Sequence, residues 1–358
     1  MRSKIICLSA FTLIVGVTLS SCKKKKDEEV TPVTETSEVL NDFSHKVALA
    51  TYSDLESKAN SLHAKVLLFN SSSSSTDLEA SKQLWKDARA AWEQSEAFLF
   101  GPVATEDLDP SIDSWPVNKG DLDSLLASSQ AFTQGFLDST QNTLKGFHPM
   151  EYLLFGANGN KVPADFTARE REYLIALADY IKRLTQNLKK SWDPNETGNY
   201  IAQVTSAGLS GSLYATKRAA FEEIINAMIG ICDEVANGKI HEPLLAQDPS
   251  LEESPFSKNS IIDFTNNMRS VQNVYFCKYI EDGKGLNEWV NENNISLDNK
   301  VQLKITAAIN SFNLITLPFG EAIISQQTQL NTVQQSINEL KDVLEVELLP
   351  FVQATITE

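Results

Sequence analysis

Apolar residues recur every three or four positions along most of this 358-residue chain. This spacing puts them on one face of an α-helix, which has 3.6 residues per turn, and so predicts amphipathic helices. The stripes run over 55–69, 85–99, 174–188, 297–315 and 330–344. Alternating apolar and polar runs bounded by turn residues, which would indicate β-strands, are absent from the sequence. We therefore expect an all-α fold.

The stripes are interrupted by loops that suggest a division of the chain. Gly-Pro, Asp-Pro and Trp-Pro pairs crowd residues 101–120, and a further loop is predicted at 156–166. Several helices joined by short links are typical of helical bundles. We predict two packed helical-bundle domains, an N-terminal helical domain over residues 38–160 and a C-terminal bundle over residues 161–358.

The first 21 residues have the features of a lipoprotein signal peptide. Arg2 and Lys4 precede an apolar run that is too short and wrongly flanked for a stable membrane span. The run ends in Leu-Ser-Ser-Cys, and cleavage before Cys22 would leave a terminal cysteine to be acylated. Residues 22–37 are polar and are expected to form a flexible tether.

The predicted anchor indicates a protein held in the bacterial outer membrane by the lipids on Cys22. The Lys26-Asp27-Glu28 run resembles the signal by which some Gram-negative lineages send lipoproteins to the cell surface. A solvated charge run is the alternative interpretation. The sequence therefore leaves open whether the protein faces the periplasm or the cell surface.

The charge balance limits the classes of partner. The chain carries 31 basic and 47 acidic residues and a formal net charge of −16. Such an acidic balance argues against a nucleic-acid partner. It is compatible with the binding of cations.

Two cysteines remain once Cys7 is removed with the signal peptide and Cys22 carries the lipids. These are Cys232 and Cys277. They could pair in an oxidising compartment or remain as buried free thiols on separate helices.

One short motif has the spacing of metal ligands, Gly-Phe-His-Pro-Met-Glu over residues 146–151. Pro149 suits the first turn of a helix, and residues three apart lie on the same helix face. The imidazole of His148 and the carboxylate of Glu151 could then form half of a site for iron or zinc. Alternatively, Glu151 caps its own helix and His148 is a packed side chain.

Other candidate ligands precede this motif in the chain. Glu93 and Glu96 lie three apart, and with the motif they would make an oxygen-rich site suited to iron or another hard cation. A solvated helix face, with Glu93 paired to Arg89, is the alternative. Asp113 and Trp115 lie in the long loop, where Trp115 either packs or walls a pocket.

Several segments resemble the imelysin-like, iron-regulated proteins of the cell envelope. Gly146, His148 and Glu151 match the Gly-x-His-x-x-Glu motif that marks this family. The other similar segments are LWKDARAAWEQSEAFLFGPV over Leu84–Val103, DSWPVN over Asp113–Asn118, EYLLFG from Glu151, and SPFSKNSIIDFTNNMRSVQNVY over Ser254–Tyr275. The resemblance covers most of residues 40–350.

The resemblance implies a two-domain helical fold with the His-x-x-Glu motif near the domain interface. It also implies a link to iron uptake or to iron-regulated expression. Together with the candidate ligands, it favours iron or another divalent metal as the cofactor. Ser257 and Asn259, from the family's Ser-x-Asn-Ser segment, are expected to line the pocket together with Asp113 and Trp115.

Members of this family have been classed as metallopeptidases, but the zinc-ligand spacing of the known peptidases is missing here. Neither His-Glu-x-x-His nor His-x-x-Glu-His occurs, and a catalytic zinc needs three protein ligands. We therefore assign no catalytic residue. Three functions stay open: an envelope lipoprotein that binds a metal or a metal-bearing ligand for iron uptake, a metallopeptidase-like hydrolase, and a scaffold that recruits iron-uptake proteins without binding metal.

Overall fold

Helices make up nearly all of the regular structure in residues 34–357, which are the residues that this computed structural model describes. Within that range the only strand-like feature is an isolated antiparallel bridge between Lys278 and Asp282. The prediction of an all-α fold is confirmed. The predicted signal peptide, Cys22 and the tether as far as residue 33 lie outside the described residues.

The α-helices are numbered in chain order. They are α1 (Thr36–Asp42), α2 (Ala50–Ser72), α3 (Ser75–Glu93), α4 (Pro102–Thr105), α5 (Leu108–Asp113), α6 (Lys119–Ala127), α7 (Gln134–Ser139), α8 (Phe147–Phe155), α9 (Ala168–Trp192), α10 (Tyr200–Thr205), α11 (Lys217–Asp233), α12 (His241–Ala246), α13 (Ser260–Phe276), α14 (Leu286–Ser311), α15 (Phe319–Ser325), α16 (Gln327–Val343) and α17 (Leu349–Thr355). Single 3₁₀ turns lie at Glu96–Phe98, Asn142–Leu144, Pro163–Asp165, Pro249–Leu251 and Phe312–Leu314. Segments of π-helix lie at Phe43–Leu49, Glu234–Ile240 and Leu344–Leu348.

The predicted stripes form the core. The apolar face of α2 is buried, and α2 packs against both α3 and α9. The stripe of α9 from Leu174 to Leu188 is buried as well. Thr167 begins α9 with a capping box, because its side chain accepts from the amide of Glu170 while the carboxylate of Glu170 accepts from the amide of Thr167 at 2.8 Å.

Helices from both sides of residue 160 share this core. The α3 helix packs against α13, and the 3₁₀ turn that follows α3 packs against α11. The buried side chains of both regions belong to one continuous apolar cluster. The boundary between two bundles at residue 160 stays a prediction.

Residues 34–37, the described part of the predicted tether, differ from the prediction. Thr34 is buried, its amide donates to Glu292 at 2.8 Å, and its hydroxyl donates to the same carboxylate at 2.7 Å. The α1 helix begins at Thr36. The prediction of a flexible tether is therefore wrong for residues 34–37, because a distant glutamate in α14 holds them.

No single helix among residues 34–357 has both the length and the hydropathy to cross a membrane. One bent pair, Leu286–Leu314 with Phe319–Ser325 at 83°, meets the criterion by length and composition together.

Cys232 and Cys277 are free thiols, and both are buried. Burial raises the pKa of Cys277 to about 12 and raises the pKa of Cys232 well above its usual range. We expect neither thiol to react with a disulfide reagent in the native protein and both to react after unfolding in urea, since the thiolate is the reactive form. Counting the released chromophore checks this, and a disulfide found by mass spectrometry would contradict it.

Candidate metal centre

Nine buried ionisable side chains meet where α3, α5, α8 and α13 approach one another. We call this set the acidic centre. Its members are Arg89, Glu93, Glu96, Asp113, His148, Glu151, Lys239, Glu253 and Asp263.

The glycine of the His-x-x-Glu motif lets α8 approach α5 closely. Gly146 has φ +88°, and a Cβ at this position would lie 2.2 Å from the carbonyl oxygen of Ile112. Only glycine tolerates both this positive φ and this close contact with the backbone of α5. This approach places His148, at the start of α8, beside Asp113, at the end of α5.

His148 lies between two carboxylates. Its Nε2 is 2.9 Å from Oδ1 of Asp113, and its Nδ1 is 3.7 Å from Oε2 of Glu151. The other oxygen of Asp113 accepts from the indole N–H of Trp92 at 2.7 Å. The side chains of His148 and Glu151 therefore face each other inside the protein, as the three-residue spacing predicts.

Glu151 does not cap its own helix, since its Oε2 accepts no hydrogen bond and its Oε1 is occupied by a residue outside α8. Its Oε1 instead accepts from the backbone amide of Ser257 at 2.7 Å and from the Ser257 hydroxyl at 2.6 Å. Asn259 donates its amide to Asp263 at 2.7 Å. Ser257 and Asn259 thus lie at the centre, where they hold its carboxylates in place.

Arg89 is the central cation. It contacts Glu93 and Asp113, and its Nη2 lies 3.0 Å from Glu253 and 3.8 Å from Asp263. Arg89 and Glu93 are both fully buried. The alternative of a solvated Arg89–Glu93 pair on the helix surface is therefore wrong, because this face of α3 also carries the buried tryptophans of the helix.

Lys239 supplies a second cation from the π-helical segment Glu234–Ile240. Its Nζ lies 3.0 Å from Glu253, 3.2 Å from Glu96 and 3.4 Å from Glu234. Segments of π-helix are rare in proteins, and those that occur are often found at functional sites.

Glu93 and Glu96 are joined by one amide. The Nδ2 of Asn267 on α13 donates to Glu93 at 2.6 Å and to Glu96 at 3.1 Å. Both predicted carboxylates therefore lie in the acidic centre. The apolar pattern of the sequence alone does not show that Glu93 is buried rather than exposed.

The acids of the centre outnumber its bases. Six carboxyl groups face Arg89, Lys239 and His148, so that three negative charges lack a counter-charge when every group is ionised. The six are Glu93, Glu96, Asp113, Glu151, Glu253 and Asp263. Uncompensated charge in a buried site is costly, and it is relieved by bound protons or by a bound cation.

The pKa values follow this imbalance. Burial raises the pKa of Glu93 and of Glu96 well above the usual range, and it raises the pKa of Asp263 to about 6. Burial opposes ionisation of Asp113 as well, but Arg89 and His148 together hold its pKa below the usual value. Burial likewise opposes a charged His148, but the contacts with Asp113 and Glu151 raise its pKa to about 9.

Two overlapping sets of side chains could hold a metal ion. One is Asp113, His148 and Glu253, and the other is Glu93, Glu96 and Asp113, with ligand atoms within 4.8 Å of one another in each set. Among the buried atoms, Nδ1 of His148, Oε2 of Glu151 and Oε2 of Glu253 have no hydrogen-bond partner. A donor set of one imidazole and several carboxylates fits iron or zinc.

Cavities reach the acidic centre from outside. One of about 220 Å³ is lined by Glu96, Asp113 and Trp115 among others, and another of about 380 Å³ reaches Glu253. The half-buried ring of Trp115 lies 6.3 Å from the ring of His148. Trp115 therefore lines a pocket, which is one of its two predicted roles.

Four residues of this region are not predicted by the sequence patterns, namely Lys239, Glu253, Asp263 and Asn267. A signal is present for the last two, because Asp263 and Asn267 are four apart and Ser270 follows three later. Polar residues at that spacing form a stripe, and this stripe of α13 is buried. Glu253 gives no such signal, because it lies in an acidic stretch outside any helix.

An all-helical fold with a buried carboxylate centre around a His-x-x-Glu motif defines one class of protein. The chain belongs to the imelysin family, because the Imelysin (peptidase M75) family model matches residues 48–346. The family resemblance seen in the sequence is thereby confirmed.

The individual relatives agree with this assignment. Iron-regulated protein A of Synechococcus elongatus is 28% identical over 324 residues, which cover 89% of this chain and 87% of that protein. A crystal structure described as an iron-regulated protein A precursor from Parabacteroides distasonis superposes with a TM-score of 0.81 at 28% identity, covering 92% of this chain and 97% of that one. An imelysin-like protein from Psychrobacter arcticum, at 13% identity, shares the fold with a TM-score of 0.71, covering 90% and 98% of the two chains.

Proposed function

We propose that this chain is an envelope lipoprotein of iron uptake that binds a divalent metal, or a ligand carrying one, at the acidic centre. The observation that carries the proposal is the buried excess of carboxylates, with an imidazole nitrogen and two carboxylate oxygens that lack hydrogen-bond partners. Buried polar groups normally have partners, so unpartnered ones need a reason.

Asp113, His148 and Glu253 would hold the ion, and Glu93 and Glu96 would supply the adjoining ligands. His148 would bind the ion as a neutral imidazole, so a bound divalent ion would cancel two of the four negative charges that then lack a counter-charge. Carboxylates favour hard cations, and the imidazole favours iron or zinc over calcium or magnesium. Trp115 and the two adjoining cavities would give the ion or its carrier a route to the centre.

Iron is favoured as the metal by the names of the relatives, two of which are called iron-regulated protein A. The lipid anchor is supported by the Leu-Ser-Ser-Cys sequence that ends at Cys22. Attachment to the outer membrane would place the centre at the membrane that iron must cross first to enter a Gram-negative cell, on its periplasmic or its outer face.

Calorimetry on the mature protein tests this proposal, with Fe²⁺ under anaerobic conditions and with Zn²⁺. We expect His148→Ala to raise the Kd for the ion at least about tenfold, since a lost ligand weakens a metal site by at least as much as a lost supporting residue does. Glu253→Gln keeps the shape of the side chain and should act in the same direction. His241→Ala is the matched control, because His241 is exposed and contacts only Gln334 among the polar partners described.

The outcomes separate the three functions. Equal affinity of the wild type and His148→Ala would exclude the acidic centre as the site. Failure of the wild type to bind either ion would favour the scaffold. Cleavage of an unfolded protein substrate by the wild type, lost in His148→Ala, would favour the hydrolase.

A further inference from the structure

The two cations of the acidic centre differ in their freedom to move. Arg89 is fully buried, touches four carboxylates, and lies within 6.0 Å of the rings of Trp85 and Phe147. It lines neither the cavities beside Trp115 and Glu234 nor the cavity that reaches Glu253. Arg89 is therefore a fixed counter-charge.

Lys239 is equally buried at its tip but borders open space. A cavity of about 290 Å³ is lined by Lys239 together with Trp115, Glu234 and Gly238 among others. A Cβ added at Gly238 would meet no atom within 4 Å. The ammonium group therefore has room to leave the carboxylates on the side of this cavity.

A destination for the ammonium group lies on the same π-helical segment. Glu234 is 3.4 Å from Nζ of Lys239, and its side chain is 48% exposed. The ring of Trp115, 5.1 Å from Nζ, offers a second favourable contact on that side. Lys239 thus stands between the buried carboxylates and a half-exposed one.

Lys239 also touches both sets of possible metal ligands. Its Nζ lies 3.0 Å from Glu253 of one set, and 3.2 Å from Glu96 and 4.0 Å from Glu93 of the other. An ion bound to either set would lie within a few ångströms of the ammonium group. Two like charges at that separation in a buried site repel each other strongly.

We propose that Lys239 is an internal competitor of the bound cation, supplying one counter-charge to the acidic centre in the metal-free protein and swinging to Glu234 when an ion enters. This inference rests on the proposed metal-binding function and adds the residue that sets the affinity. A protein that must take up an ion and release it again gains from such a competitor, because the metal-free centre keeps part of its counter-charge and the ion is held less tightly.

The test is the Kd for Zn²⁺, measured against a chromophoric chelator. Lys239→Met removes the charge and keeps an unbranched apolar side chain, so we expect it to lower the Kd at least about tenfold. Glu234→Gln leaves all the proposed ligands intact and removes the destination, so it should raise the Kd several-fold. Lys341→Met is the matched control for net charge, because Lys341 pairs with exposed Asp233 outside the centre.

The double variant separates displacement from simple electrostatics. If Lys239 must move to Glu234, Glu234→Gln has no effect on the Kd once Lys239 is methionine. If Glu234 only adds negative potential, the substitution weakens binding equally in both backgrounds, and the inference is overturned. Unchanged or weaker binding in Lys239→Met overturns it as well.

Failure of the inference can be told from failure of the proposed function. If the wild type binds Zn²⁺, His148→Ala abolishes the binding and Lys239→Met does not change the Kd, the proposed function is supported and the role of Lys239 as a competitor is contradicted. Binding that appears only in Lys239→Met supports the competitor and contradicts uptake by the wild type. If neither the wild type nor Lys239→Met binds Zn²⁺, both the proposed function and the role of Lys239 are contradicted. If Lys239→Met does not fold without metal, the surface variant Glu234→Gln decides, because an unchanged Kd there overturns the inference.

Discussion

Arg89→Ala is expected to lower the free energy of unfolding by about 3–5 kcal/mol, the range for breaking a buried ion pair by removing one partner. The substitution leaves the buried Glu93, Asp113 and Glu253 without their shared counter-charge. It also leaves a cavity between the rings of Trp85 and Phe147. Urea unfolding at pH 7 with EDTA present measures the change.

A matched surface substitution calibrates this result. Arg218 pairs with Glu222 one helical turn away, and its side chain is 42% exposed. Arg218→Ala should change the free energy of unfolding by less than about 1 kcal/mol, as is usual for exposed pairs. A loss below about 1 kcal/mol for Arg89→Ala would mean that protons already neutralise the acidic centre and that the guanidinium is dispensable.

Raising the pH from 6.5 to 9 is expected to remove about 3 kcal/mol of stability through His148 alone, since a difference of one in pKa between the folded and unfolded states corresponds to about 1.4 kcal/mol. Burial disfavours the charged ring, but the contacts with Asp113 and Glu151 outweigh it and raise the pKa of His148 from 6.5 to about 9 on folding. Because the folded state keeps a proton that the unfolded state loses, the contribution is complete below pH 6.5 and is lost as the pH rises through 9.

His148→Gln isolates this effect. The variant cannot take up the proton, so the difference in unfolding free energy between wild type and variant should shrink across this pH range, with EDTA present throughout. Glu252, whose pKa burial raises to about 7, also titrates there, but it is common to both proteins and cancels in the difference. A constant difference from pH 6.5 to 9 would show that His148 is neutral in the folded protein.

Much of the fold could be predicted because helical periodicity is a local property. The stripes of α2, α9 and α16 are visible in the sequence, and their residues are buried as that pattern requires. The π-helical segment that presents Lys239 could not be predicted, because nothing in its composition separates it from an α-helix. The burial of Thr34 could not be predicted either, because it depends on Glu292 far along the chain.

Spacing alone predicts the candidate site where its residues share a helix. His148 and Glu151 lie three apart in α8, so their convergence follows from helix geometry. Glu93 and Glu96 also lie three apart, but α3 ends at Glu93, and the two carboxylates are joined by Asn267. The sequence also held a clue to the burial of Arg89, which lies between two buried tryptophans on the same face of α3. The four-residue spacing from Arg89 to Glu93 nevertheless suggested a surface pair, since such pairs are common on exposed helices.

The rest of the centre depends on tertiary contacts. Glu253 lies more than a hundred residues from His148 in the chain, and Lys239 is more than a hundred from Asp113. Neither residue has a neighbour in the sequence that marks it as a partner. These charges lie on separate elements, and only tertiary packing brings them together.

Because the acidic centre joins distant segments of the chain, a truncated polypeptide lacks some of the partners of its buried charges. A polypeptide that ends before residue 239 contains Glu93, Asp113 and Glu151 but lacks Lys239, and it lacks the Ser257 that secures Glu151. Glu96 would then lack its ammonium partner, and Glu151 would lack the amide and the hydroxyl from which it accepts. Because buried polar groups without partners are costly, we expect such a fragment to be less compact than the whole chain and to be cleaved more readily by proteases.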